Sequence, residues 1–271
     1  MREQEKKLRL LIREELLRLN ETTQPAPSQP VANPQIKNPI ADFQSKVSSF
    51  GLRPEVLQAA IATKIAEAKI KSSLSIDGPT LGMLLIAAVG VSGRESTYGQ
   101  GKRYQWTSWA ENLISQYGVK DTSIGPTQIK YGENFGPGSD LSGYGPQVGI
   151  TGPSSLAEYP KAIMATIGML ARLYQKAKTL GYTDEVGVAS KPYNSTGSAA
   201  LDLALIGYNM GSAKITNYCG SGTIKKPCAV GSPDIVKNYM PNLVDDELTS
   251  LGYVGEVSRE MSKIVALKPL F

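Results

Sequence analysis

Residues 80–93 read TLGMLLIAAVGVSG, a run that is apolar on every face if it is helical. Such a helix does not sit at a surface; it is buried in the middle of a domain, and the remaining elements are laid around it. No turn residue other than glycine separates the run from Arg94-Glu95-Ser96-Thr97-Tyr98-Gly99, so a carboxyl group is delivered beside an apolar interior. Partial desolvation there favours the protonated form, and a carboxyl that keeps its proton can donate it. The alternative is a solvated helix-end glutamate paired with Arg94. Position alone does not choose between them.

Around the central run the chain reads helix after helix: 54–71, 108–118, 159–181, 198–211 and 246–266 all carry apolar residues at helical spacing. Residues 121–155 are crowded with Gly and Pro and read as loops with a small irregular sheet. A mainly α domain is expected over 42–271. Two segments precede it. Residues 1–20 place Leu8, Leu11 or Ile12, Leu16 and Leu19 on one face of an amphipathic helix, and Arg13, Glu14 and Glu15 interrupt the apolar core that a secretion signal needs. Residues 21–41, with prolines at 25, 27, 30, 34 and 39, read as an extended, semi-rigid linker. The longest apolar stretch, Leu81 to Val91, falls short of the roughly 20 residues a bilayer requires, so no membrane span is expected.

Composition narrows the chemistry. The 271 residues contain no histidine, which removes histidine triads, histidine general bases and nearly all transition-metal sites. Acid–base work must fall to carboxylates, Tyr, Lys or Cys. Cys219 and Cys228 bracket GSGTIKKP, a turn-rich loop that one disulfide can close or that carries two free thiols. A formal charge of +5, spread along the chain, is only a weak pointer to an anionic partner such as a wall polymer, and no nucleic-acid partner is expected.

Two further segments stand with the Glu95 stretch. SIGPTQI (123–129) puts Gln128 after a glycine turn, where a neutral amide can hydrogen-bond a polar substrate group. ALIGYNMGSAKI (204–215) puts Tyr208 and Asn209 at the end of an apolar helix with Gly211 as its stop. In this order, Glu95-Ser96, Gly125-Pro126-Thr127-Gln128-Ile129 and Tyr208-Asn209-Met210-Gly211 resemble the motif set of the soluble lytic transglycosylases, the lysozyme-like muramidases of bacteria and phages. Tyr253-Val254-Gly255-Glu256-Val257 is similar to that family's late Tyr-Val-x-x-Val segment. The resemblance covers about residues 80–260. It departs in three places: RYQWTSWAENLISQYG (103–118) lengthens the interval after Glu95, Pro126-Thr127 replaces the family's Leu-Met pair, and the segment before Tyr253 lacks a clean Pro-Glu-Thr element.

The resemblance implies a lysozyme-like α+β catalytic domain that breaks the MurNAc–GlcNAc β-1,4 bond of peptidoglycan with one catalytic glutamate. Glu95 is then the acid for the leaving oxygen and afterwards the base for the C6 hydroxyl of the same muramic acid, with the substrate's N-acetyl group in place of a second carboxylate. Tyr208 is expected to hydrogen-bond and orient Glu95. Ser96, Gln128, Asn209 and Tyr253 are expected on the substrate side, with capping as the alternative for Asn209. Tyr98, Tyr104, Trp106 and Trp109 are either sugar platforms or core residues. No cofactor and no metal is implied. Two other functions remain: a goose-type lysozyme-like hydrolase, with Asp121 holding the water, and a structural or wall-binding virion protein of the same shape. The expected partners are peptidoglycan strands and, through the N-terminal helix, virion or tail proteins. The expected location is a phage virion or, after delivery, the bacterial wall.

Overall fold

The computed structural model describes residues 39–100, 123–184, 195–211 and 245–271, all within one unit, Pro39–Phe271. The amphipathic segment 1–20, most of the linker, the helix expected at 108–118 and the Cys219–Cys228 loop lie outside the described residues. The described chain is mainly helical, as its patterning predicts.

Helix α1 is Pro39–Ser48, so residues 39–41, expected as the end of the linker, are instead a first helical turn. Its opening proline suits that position, where a missing N–H is no loss. The helix expected over 54–71 is two: α2 (Pro54–Ile65) and α3 (Glu67–Leu74), parted at Ala66, whose φ of −86° and ψ of 1° leave the helical region. No Gly or Pro marks the break. The turn lets α2 pack on α7 (Tyr159–Thr179) while α3 meets α6 (Tyr144–Gln147), two partners that one straight rod does not reach.

Helix α4, Gly78–Ser96, contains the apolar run and is capped by Asp77, whose carboxylate accepts the Thr80 backbone N–H at 2.8 Å. It packs against α7 on one side and against α9 (Asp245–Ser262) and the closing 3-10 turn Val265–Leu270 on another. Glycine is required in this contact: a Cβ on Gly82 would lie 2.4 Å from the Lys268 carbonyl oxygen. Helix α9 stops at Ser262, short of the expected 266, and the chain tightens into that 3-10 turn. Helix α8, Ala199–Met210, lies on α7 and α9, starts at a Ser198 cap and ends at Gly211 with φ +95°, the stop its sequence predicts. The Gly- and Pro-rich region holds a two-stranded antiparallel ladder, β1 (Ser123–Ile124) and β2 (Ile129–Lys130), followed by the short helices α5 (Tyr131–Phe135) and α6. Leu84, Leu85, Val89, Ile163, Ile167, Leu170, Leu203 and Val257 form the centre of the core. No single helix among the described residues is long and apolar enough to cross a membrane.

Candidate functional site

Glu95 occupies the last turn of α4, and its side chain is 18% exposed. Its Oε1 lies 3.2 Å from an Arg94 guanidinium nitrogen, while Arg94 Nε donates to Glu256 Oε2 at 2.9 Å. The carboxyl is thus neither freely solvated nor unpaired: both features weighed from the sequence, enclosure and pairing with Arg94, are present together. The Arg94 guanidinium also lies 4.7 Å from the centroid of the Tyr253 ring, a cation–π contact that ties the end of α4 to α9.

Two tyrosine hydroxyls lie close enough to feel the Glu95 charge. Burial pushes the Tyr208 hydroxyl well above the ordinary tyrosine value; hydrogen bonds with Thr166 and Thr127 offset part of this, and the Glu95 charge adds to it. Burial, then the Glu95 charge, raise Tyr253 in the same way. Tyr208 does not orient Glu95 by a hydrogen bond, as the sequence led us to expect. Its hydroxyl donates instead to the Thr127 carbonyl oxygen at 2.6 Å, because the turn between β1 and β2 brings that carbonyl across the end of α8.

That turn is itself strained. Gly125 has φ +78°, and a Cβ there would lie 1.9 Å from the Leu156 carbonyl oxygen, so only glycine fits. Gln128 takes φ +56°, an uncommon conformation for a residue with a side chain, and its Nε2 donates to the Gly125 carbonyl oxygen at 3.1 Å. Gln128, Tyr208 and Asn209 line a polar cavity of about 320 Å³, together with Lys130, Glu133 and Arg172. Lys130 pairs with Glu133 at 3.1 Å and Arg172 with Asp140 at 2.9 Å. Nothing in the motif pattern singled out these charged side chains; they enter the cavity because β2, α5 and α7 converge there. Glu95 is not among the residues that line it. Tyr208 connects the two, since it lines the cavity and its hydroxyl lies within the field of the Glu95 carboxyl.

Two of the residues expected on the substrate side lie elsewhere. Ser96 is 2% exposed; its hydroxyl donates to the Ser92 carbonyl and accepts the Gly99 backbone N–H, closing the helix end where no sugar reaches. Tyr253 is also 2% exposed and faces Glu95 from within the fold. Tyr98 resolves to a bracing role: it is buried, donates to Glu260 at 2.5 Å and lies under the Arg53 guanidinium. Asn209 is exposed in the last turn of α8. Tyr104, Trp106, Trp109 and Asp121 lie outside the described residues. A larger cavity, about 550 Å³, is lined by Met83, Ile86, Met261, Asp184 and Lys268 among others and holds none of the motif residues. The Asp184 carboxylate there already accepts from Tyr174, Ser198 and Lys178, so it belongs to the scaffold.

The chain matches no family model, no curated protein and no solved structure.

Proposed function

We propose that this chain is a peptidoglycan lytic transglycosylase with a lysozyme-like domain. The observation that carries the reading is Glu95 itself: a largely enclosed carboxyl at the end of the central apolar helix, next to two buried tyrosine hydroxyls and adjoining a polar cavity that holds Gln128 and Asn209. A single acid in that setting suits a reaction in which the substrate supplies the second function. Glu95 donates its proton to the glycosidic oxygen as the C1–O bond breaks, and the substrate's N-acetyl oxygen supports the electron-poor C1. The C6 hydroxyl then attacks C1, its proton passes to Glu95, and the acid is restored with a 1,6-anhydro sugar as product. Gln128 and Asn209 serve as neutral hydrogen-bonding groups for the sugar, beside the Lys130–Glu133 and Arg172–Asp140 ion pairs.

Digestion of purified peptidoglycan by the full chain, followed by mass analysis of the released muropeptides, tests this. Anhydro-muramoyl ends are expected; reducing ends would replace the transglycosylase with a hydrolase. A second reading, a wall-binding protein without activity, is favoured by the Arg94 ion pair and by the absence of Glu95 from the cavity lining. It predicts that no muropeptides appear at all. The amphipathic segment 1–20 and the proline-rich stretch after it suit docking in a phage particle, and mass spectrometry of purified particles would find the chain there.

A further inference from the structure

We propose that the larger cavity, remote from Glu95, is a binding site for a small amphiphile with an apolar body and a single carboxylate or phosphate head. The cavity has a volume of about 550 Å³, inside the roughly 300–1,000 Å³ range of sites that enclose small molecules. Met83, on its wall, stands more than three turns before Glu95 on α4, roughly 18 Å along the helix axis. The site is therefore separate from the candidate acid and does not depend on how Glu95 is read.

What the cavity can recognise is set by the groups that the fold has not already used. The Asp184 carboxylate accepts from Tyr174 at 2.7 Å and from Ser198 and Lys178 at 2.9 Å each, and the Lys178 ammonium answers its charge. Ser258 donates to the Ser195 carbonyl oxygen at 2.9 Å and Ser262 to the Arg259 carbonyl oxygen at 2.7 Å. Apolar surface and one charge are left. Ile86 and Leu201 are buried in the wall, and Met83 and Met261 are only partly buried, with thioether chains that adapt to an irregular apolar body. Val265 lines the same cavity and is 59% exposed, so an apolar ligand has side chain left to cover. Lys268, also exposed, makes no ion pair among the described residues. A sugar needs hydrogen-bonding partners that this wall has largely spent, whereas an apolar chain with an anionic end needs only the wall and Lys268.

The test titrates the full chain with sodium decanoate and decyl phosphate below their micellar range, with decanol as the uncharged control, and reads displacement of a dansylated fatty acid. Saturable displacement is expected from both anions, with decanol about fivefold weaker, the scale of one exposed charge pair. Lys268→Gln removes the difference between decanoate and decanol. Val265→Asp, at an exposed position on which the core does not depend, weakens both anions about tenfold while the melting temperature stays level. Equal binding of decanoate and decanol to the wild type overturns the anionic class, and binding indifferent to both substitutions overturns the site. No displacement at all overturns the proposal, as does binding confined to phosphatidylglycerol vesicles. A dimer in sedimentation that Val265→Asp takes apart overturns it as well, since the occupant is then a second copy of the chain. None of these measurements uses peptidoglycan, so their failure and the failure of the Glu95 reading are told apart.

Discussion

Two enclosed carboxylates at opposite kinds of helix end show how differently this molecule treats the same chemical group. Asp202 lies in the first turn of α8, fully buried; Oδ1 accepts the Thr196 N–H at 2.9 Å and the Thr196 hydroxyl at 2.6 Å, and Oδ2 accepts the Ser195 hydroxyl at 2.5 Å. The helix dipole there favours a negative charge. Glu95 lies in the last turn of α4, where the dipole opposes a negative charge, and it pairs with a neighbouring arginine shared with Glu256. Asp202 has the surroundings of a group that holds the 195–198 turn in place. Glu95 shares its arginine with Glu256 and stands beside the Tyr208 and Tyr253 hydroxyls.

The sharpest way to break the contrast is to neutralise Glu95. Glu95→Gln is expected to lower muropeptide release about 10³-fold, a barrier change of roughly 4 kcal/mol, while its melting curve stays close to wild type. Unchanged release would make Glu95 as structural as Asp202. Asp202→Ala should do the converse: a loss of about 3 kcal/mol in chemical denaturation, because Ser195 and both Thr196 donors are left unpaired in the interior, with the turnover per folded molecule little altered. Tyr208→Phe falls between them. It leaves the Thr127 carbonyl without its 2.6 Å donor, at about 1 kcal/mol of stability, and it loosens the turn that presents Gln128, so a rise in KM is expected alongside.

The smallest effect is in acid. Burial pushes Asp184 up, but hydrogen bonds from Lys178, Tyr174 and Ser198 outweigh it and hold the carboxyl below the ordinary aspartate range. A depressed value in the folded state means that the stabilisation is fully present above the unfolded value, about 3.9, and is lost as pH falls through the lower folded value. Denaturation followed from pH 6 down to pH 2 should show a decline confined to the acid end, and Asp184→Asn should flatten it. Because Ser198 caps α8 and also donates to Asp184, this limb reports on the scaffold around Asp202 and leaves the Glu95 end untouched.

Much of this was legible in residue order. The all-round apolar run announced a buried central helix, Gly211 announced the end of α8, and Ser198 and Asp77 are caps of the commonest kind. These depend on side-chain chemistry within a few residues of each other, which a sequence displays directly. The break at Ala66 was not legible, since nothing between Pro54 and Leu74 is a poor helix former at that point. Nor were the roles of the tyrosines: Tyr208, Tyr253 and Ser96 were all visible as motif residues, but which one bonds Thr127, which one faces Glu95 and which one closes a helix end depend on contacts across long stretches of chain.

The sequence by itself determined the helical class, the burial of the central run and the delivery of a lone carboxyl to its end, because hydrophobic periodicity and local capping act over distances the chain already encodes. Only the tertiary structure decided what surrounds that carboxyl. Arg94 turns toward Glu256, Tyr253 is enclosed beside Glu95, and Tyr208 is drawn away to the Gln128 turn, since each of these partners comes from a helix or strand that meets the end of α4 only when the core closes.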